Sequence, residues 1–575
     1  MAVMRSLRCG SVLVTAVAVA ACNTRSRQVP DAQVPEDTIC GRRCSADGRM
    51  IVDCRGDVIE RCGEGDACDT ATTTCMNACE VAAREPSSMG CEFYATPMDS
   101  YEFIIDVEYA CFTAIVVNTS AARARIGVSY AGNALPVASF ARVAASVAHD
   151  LELAPYDEAE GLAPGGVAIL FLTGRAQDPG LKEAPGSCPV EAAVPDAAFE
   201  GTGIGHAFRV TTDAPVSMYQ LHPWGGGRLE FPGGSMLLPT SAWGMDYIAV
   251  NAGPRGEVYP SNIHGLPSLN IIAQEDETRV TLVPVAAVEP GTGVPGGPAN
   301  EPLEIVLDAG QHVQLTQVSE LSGSLVSATR PIGFMAGHQC LDMPVDIEAC
   351  DHAMQMTPPT YALGHRYVGV MYPPRAPGET STFWRMVGVV DGTLLSYSTN
   401  VGGPTRLDRG EVVNFETGTP FVVSSQDADH PFLLFTYMTG AELIEGLAGD
   451  PEFVLNVAPS QYLDRYVLLA DPSYTDTRLV VVRSRGSDGE FADVYLDCRG
   501  LVQGWQPVGG DFEYAHVTIT AGSASIDGCT TGRLELESHA PFSVTLWGWR
   551  GPWGASSYGF PGGMRLTPND GIVIR

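Results

Sequence analysis

Five residues able to bind a metal or move a proton fall between positions 338 and 352: His338, Cys340, Cys350, Asp351 and His352. The order His-x-Cys, then Cys-x-His, offers two thiolates and two imidazoles, the donor set of a tetrahedral Cys2His2 zinc site. The same two cysteines can instead join as a disulfide closing a short loop, worth about 2–3 kcal/mol in the chain-entropy model. Asp351 beside His352 could be part of a hydrolytic pair, but no nucleophile can be assigned to it. The disulfide is the leading reading, because the chain carries an export signal and an oxidising compartment keeps such bonds. A metal-dependent or hydrolytic enzyme using His338, Asp351 and His352 is the alternative.

Other chemical motifs are weaker. Gly291-Thr-Gly293-Val-Pro-Gly296 matches GxGxxG literally. A dinucleotide fingerprint needs a helix after the glycines, and Pro295 and Pro298 forbid one. The sequence has no GxSxG, no HExxH and no EF-hand loop. Its one lysine, Lys182, lies in a loop-like stretch, which removes a Walker A or kinase lysine. The reading is therefore a non-enzyme without a cofactor.

The cysteines must be placed by the rest of the chain. Residues 1–21 read as an export signal, with Arg5 and Arg8 ahead of the apolar run Val12–Ala21. The run is too short to span a bilayer and ends Val19-Ala20-Ala21-Cys22, which resembles a bacterial lipobox. Cys22 is the expected lipidation site, and acyl chains on it would hold the protein firmly on a membrane. The expected location is the bacterial cell envelope, at the outer membrane facing the periplasm or cell surface. Residues 22–39 form a flexible tether. Residues 40–91 hold eight cysteines, at 40, 44, 54, 62, 68, 75, 79 and 91, too many for so short a segment unless cross-links replace a core. Their pairing is open; the module reads as a stalk or spacer. Further on, Cys111 could pair with Cys188 and Cys498 with Cys529.

Composition narrows the partners. With 34 Lys+Arg against 67 Asp+Glu the formal net charge is −33, which argues against nucleic acid. Gly and Pro number 63 and 41, while hydrophobic residues make up 45%, a balance suited to many turns and few helices around buried cores.

Beyond residue 91 the chain repeats itself. An extended run breaks at a polar residue and a proline, an apolar run follows, and a later proline precedes a tyrosine that opens the next strand. The anchoring prolines are Pro215, Pro331, Pro431 and Pro541, separated by 116, 100 and 110 residues. The tyrosines are Tyr247, Tyr367 and Tyr466, read as aromatic bodies in a core with the hydroxyl at the rim. Cys111–Asn118 and Ala124–Tyr130 look like a strand pair, echoed at 269–273 with 279–283, at 386–390 with 394–397, and at 479–482 with 492–496. A Leu-x-x-Gly element recurs at Gly165, Gly310 and Gly410, suited to a tight turn into a strand. A period near one small domain predicts tandem all-β sandwich-like units at 92–232, 233–350, 351–450 and 451–575, with propeller-like closure as the alternative.

The repeated sentence resembles the IgGFc-binding protein N-terminal domain family. The resemblance is carried by Arg330-Pro331, Gly337-His338-x-Cys340, Cys350-Asp351-His352, Pro358-Pro359, Leu363-Gly364 and Tyr367. The run Ser557-Tyr-Gly-Phe-Pro-Gly-Gly563 is similar to that family's closing motif. It extends from about Phe93 to the C-terminus. It implies a surface binding or adhesion protein: animal members are secreted mucus proteins named for binding the Fc part of immunoglobulin G, and bacterial members are surface proteins, often lipoproteins. The von Willebrand-type domains of the animal members are absent here. The expected partners are a membrane, through the lipid anchor, and a protein or glycan ligand. A structural envelope protein without a specific ligand is the remaining alternative.

Overall fold

The computed structural model describes residues 41–45, 48–100, 110–147, 150–174, 187–228, 232–256, 265–345, 347, 350–551 and 554–566. The export segment, Cys22, the tether, Cys40 and Lys182 lie outside the described residues. Among the described residues no helix is long and apolar enough to cross a membrane.

Each anchoring proline sits in, or just before, a strand that organises its unit. In the first, second and fourth units this is one long strand: Phe208–His222, Leu325–Leu341 and Gly532–Trp549. Such a strand lies in one sheet and takes different neighbours along its two halves. Phe208–Thr212 pairs with Ile126–Tyr130, whereas Ser217–Leu221 pairs with Thr113–Val117. Pro215 lies between the halves, where the ladder to Met89–Ala95 shifts register between Thr211 and Val216. A residue without an N–H costs no ladder bond at such a bend. In the third unit the insert before Pro431 breaks the strand into Phe421–Ser424 and Phe432–Met438, and the sheets separate accordingly.

This arrangement corrects the pairing expected from sequence. The segments read as strand pairs are strands, but they do not pair with each other. Pro267–Ala273 lies on the C-terminal half of its long strand, and Thr278–Val283 on the N-terminal half. The fourth unit repeats this with Asp476–Ser484 and Val494–Leu496. Alternation marks a segment as extended and half-buried; it carries no information about which edge it will join. The glycine turns are as expected: Gly165, Gly310 and Gly410 have φ of +69°, +79° and +76°, conformations that glycine adopts without strain.

The fold is all-β, with sandwich-like units built from half-barrel sheets and no closed propeller. The second unit packs Tyr247, Leu269, Ile271, Val326 and Phe334, and the third packs Tyr367, Trp384, Phe421 and Phe432. A larger continuous core joins the first and fourth units and takes in residues from all four.

After each main strand a short strand folds back: Gly233–Leu237, Asp351–Met356, Glu452–Leu455 and Ser557–Pro561. Each of these inner strands touches the next, and the last touches the first. The start and the end of the described β region meet as well. Ser88 donates its amide to the Met564 carbonyl at 2.7 Å, and Leu566 donates to Pro86 at 2.8 Å.

The cysteine-rich segment is cross-linked by Cys44–Cys68, Cys62–Cys75 and Cys79–Cys91. Cys54 is also disulfide-bonded. The Cys79–Cys91 bond ties the short helix Ala78–Arg84, capped by the Asn77 side chain, to the first strand of the β region. The module is thereby fixed to the first unit on that side.

Candidate functional site

His338 stands near the end of its long strand, opposite Pro267 on one side and Ala353 on the other. Its side chain is fully buried. Nε2 lies 2.9 Å from the Pro254 carbonyl, and Nδ1 accepts the Cys340 amide at 3.1 Å. That network assigns the ring proton to Nε2 and leaves Nδ1 as acceptor. Burial pushes the His338 pKa down to about 4, against a smaller upward pull from the Pro254 bond. The ring is neutral at physiological pH and both nitrogens are engaged.

Cys340 and Cys350 are bonded to each other. Their sulfurs are therefore not thiolate donors, and the Cys2His2 arrangement would first require reduction. Among the described residues no group of three or more His, Cys, Asp or Glu is placed to hold a metal ion. Cys111 is bonded to Cys188, and Cys498 to Cys529.

Asp351 and His352 open the second inner strand and are both fully buried. Asp351 Oδ2 accepts the Ser557 amide at 2.9 Å. The His352 ring meets His222 edge-on, with centroids 5.7 Å apart and planes at 79°. Burial and the neighbouring His222 push the His352 pKa down to about 3. His222 is likewise pushed down to about 4 by burial. Gly233, paired with His222, is required here: a Cβ on it would come within 2.6 Å of the His352 carbonyl. The structure therefore sets the His352 ring edge-on to His222, with His338 as a further neighbour. None of His338, Asp351 and His352 reaches solvent, so a substrate has no access to them.

What these residues do hold together is the meeting point of the four inner strands. Gln355 Nε2 donates to the carbonyls of Gly234 (2.8 Å) and Gly559 (3.0 Å), linking three inner strands. The Glu452 carboxyl accepts the amides of Phe453 (2.7 Å) and Gly559 (3.1 Å). Burial raises its pKa well above the ordinary carboxylate range, outweighing those two bonds. Ser235 Oγ accepts the Met356 amide at 2.9 Å. The closing motif packs into the same place. A Cβ on Gly559 would meet Val454 and Trp547, and one on Gly562 would meet Val544 at 2.6 Å. His222, Gln355 and Glu452 did not stand out in the sequence, since single polar residues inside apolar runs read as ordinary strand positions. The glycines of Ser557–Gly563 were the one available signal. Asn118 of the Asn-Thr-Ser sequon is also internal, donating to Ala122 and Leu162 at 2.8 and 2.9 Å.

Comparison with known proteins matches the sequence to a family. A family model described as IgGFc binding protein covers residues 233–548, more than half of the chain. The human IgGFc-binding protein is 29% identical over 225 residues, which is 39% of this chain and 4% of that much longer protein. A solved anti-sigma factor domain-containing protein from Clostridium clariflavum aligns at 12% identity, over 56% of this chain and 93% of its own, with a TM-score of 0.11. The matched span runs from the first inner strand to the last long strand and includes His338, both cysteines and Tyr367. The chain belongs to the IgGFc binding protein family.

Proposed function

We propose that this chain is an extracytoplasmic lipoprotein of the bacterial cell envelope, anchored through Cys22, whose β units act in binding or adhesion. Family membership is the observation that carries the binding reading. The human relative is named for the Fc region of immunoglobulin G. A protein ligand of that kind is the first to test here. The burial of His338, Asp351 and His352 supports a non-enzymatic role, because catalysis on a solute needs an accessible acid or base. The disulfides support an oxidising compartment. The charge of −33 suits an exposed, soluble surface and disfavours nucleic acid.

Expression in a lipoprotein-processing bacterium tests both halves of the reading. Wild-type cells should incorporate radiolabelled palmitate into the protein and adhere to immobilised glycoprotein. Cys22→Ser should lose the label, and cells carrying it should lose adhesion. Label without any adhesion would favour a structural envelope role, and no label would overturn the anchor.

A further inference from the structure

A cleft opens on the third unit, away from the inner strands. It encloses about 400 Å³ and is lined by Arg366, Ser396, Tyr397, Ser398, Val422 and Ser424, with Gly509 and Gly510 of the fourth unit on its far wall. The sheet register explains why these side chains converge. Arg366 pairs with Ser424, and Ser424 pairs with Ser396, so the three lie in one row across adjacent strands. Cross-strand partners project to the same face of a sheet. Tyr367, Val423 and Tyr397 form the next row, and Tyr367 and Val423 enter the core on the opposite face. The result is one guanidinium flanked by hydroxyls. Gly509 and Gly510 have φ of +105° and +55°, and a Cβ on Gly509 would come within 3.0 Å of Ser398, so the wall is made of bare backbone.

Among the described residues Arg366 makes no ion pair, in contrast to the buried or half-buried Arg375, Arg385, Arg465, Arg478, Arg483 and Arg533. Its buried Nε has no hydrogen-bond partner. The guanidinium is held from below by the Phe512 ring, 4.8 Å from its centroid. A planar cation fixed by stacking, with donors unspent and no carboxylate in the lining, is organised to receive an oxyanion in a bidentate fashion. Ser398 Oγ accepts the Val422 amide at 2.9 Å and keeps its proton to donate, while Ser396 Oγ donates to the Ser424 carbonyl at 3.3 Å and keeps lone pairs to accept, so the serines retain both roles that ring hydroxyls require. The volume lies within the range of small-ligand sites.

We propose that this cleft binds a carboxylate-bearing sugar, with the carboxylate on Arg366 and the sugar hydroxyls on Ser396, Ser398 and Ser424. The proposal deepens the binding reading by naming a ligand class, and it does not depend on immunoglobulin.

The test is calorimetric titration of the purified full chain with glucuronate, with glucose, acetate and sulfate as separate titrants. Glucuronate should bind saturably, and glucose and the simple anions at least about tenfold more weakly, since each lacks one half of the recognised group. Arg366→Gln should weaken glucuronate binding by about tenfold or more, a step of about 1.4 kcal/mol. Ser396→Ala, at an exposed strand position that leaves folding unaffected, should weaken it about threefold, within the usual range for one neutral hydrogen bond. No saturable glucuronate binding, equal affinity for glucose, or unchanged affinity in a folded Arg366→Gln protein would each overturn the proposal. Fc binding measured on the same samples separates failure of this site from failure of the wider binding reading.

Discussion

The Tyr367 hydroxyl donates to the carbonyl of Phe432 at 2.8 Å and accepts the amide of Gly364 at 3.2 Å. Phe432 is the residue directly after the anchoring proline Pro431. The same bridge recurs in the neighbouring units. Tyr247 donates to Ile332 at 2.6 Å and accepts from Gly244 at 3.1 Å. Tyr466 donates to Phe542 and accepts from Leu463 at 2.9 Å. The hydroxyls are thus buried across the bend of each main strand, not at the rim as the sequence suggested. A buried carbonyl at a bend, where the ladder is interrupted, needs a partner, and the tyrosine supplies it.

Replacing Tyr367 with Phe leaves that carbonyl and the Gly364 amide without this hydroxyl in a dry site. The expected loss is about 1–3 kcal/mol, read as a lowered denaturant midpoint with an unchanged slope. The first unit shows the same position without a hydroxyl: Phe93 lies three residues after Gly90, which pairs with Val216 beside Pro215. An unchanged midpoint for Tyr367→Phe would show that the bridge is not stabilising.

The buried Cys340–Cys350 bond closes a loop with a sequence separation of 10. Cys340→Ser combined with Cys350→Ser should cost about 2–3 kcal/mol in the chain-entropy description. Peptide mapping without reductant should recover the two cysteines joined. Recovery of both as free thiols with bound zinc would instead restore the metal-site alternative.

Buried histidines make stability depend on pH. His222, His312, His338 and His352 are fully buried, and burial holds their pKa values at about 4, 3, 4 and 3. Between those values and an unfolded value near 6.5, the unfolded chain binds more protons than the folded one, so stability falls as pH falls through that window. Each unmatched proton contributes about 1.4 kcal/mol per pH unit. Asp99, raised to about 6 by burial, acts oppositely: its contribution is present at low pH and lost as pH rises through 6. Glu452 is shifted in the same direction as Asp99. Asp246 and Asp471 are raised as well, whereas His516, Asp69, Asp408, Asp427 and Glu535 are lowered and act with the four histidines, so the groups that lose stability in acid outnumber the others and predict a net decline in unfolding free energy from pH 6.5 to pH 4, measurable by denaturant titration at each pH. A flat or rising profile would contradict the neutral burial of these rings.

The Arg375–Glu379 pair is sealed from solvent, with side-chain exposures of 0% and 2%. Arg375 also donates to the carbonyls of Thr439 (2.8 Å) and Ala448 (3.1 Å), and Glu379 accepts the Tyr372 hydroxyl at 2.5 Å. Removing one partner strands the other charge, so Glu379→Ala should destabilise by about 3–5 kcal/mol. Thermal unfolding reads this as a large drop in midpoint. A small change would mean that water reaches the pair.

Much of this architecture was legible in the chain. Pro331 and Pro541 marked the bends because proline tolerates a missing ladder bond, and Gly165, Gly310 and Gly410 marked turns because of their backbone freedom. Tyr367 was visible as a repeat, but its hydrogen bond was not, since its acceptor lies 65 residues away. The split of Phe112–Val117 and Ile126–Tyr130 onto two halves of one strand was invisible for the same reason: local pattern does not encode register. His352 was noticed for its neighbours in sequence, yet its ring partner, His222, is distant in the chain. Arg366 gave no signal beside Tyr367, because the absence of a carboxylate partner is a property of the folded surface.

The central claim, that this family member binds a macromolecular ligand, is tested most directly by titrating the purified full chain against immobilised immunoglobulin G Fc and a panel of glycoproteins in surface plasmon resonance. The account predicts saturable binding to at least one of them that survives Cys340→Ser/Cys350→Ser in any variant that remains folded, since the His338–His352 cluster is internal. Flat responses across the panel from a folded, disulfide-intact chain would contradict it.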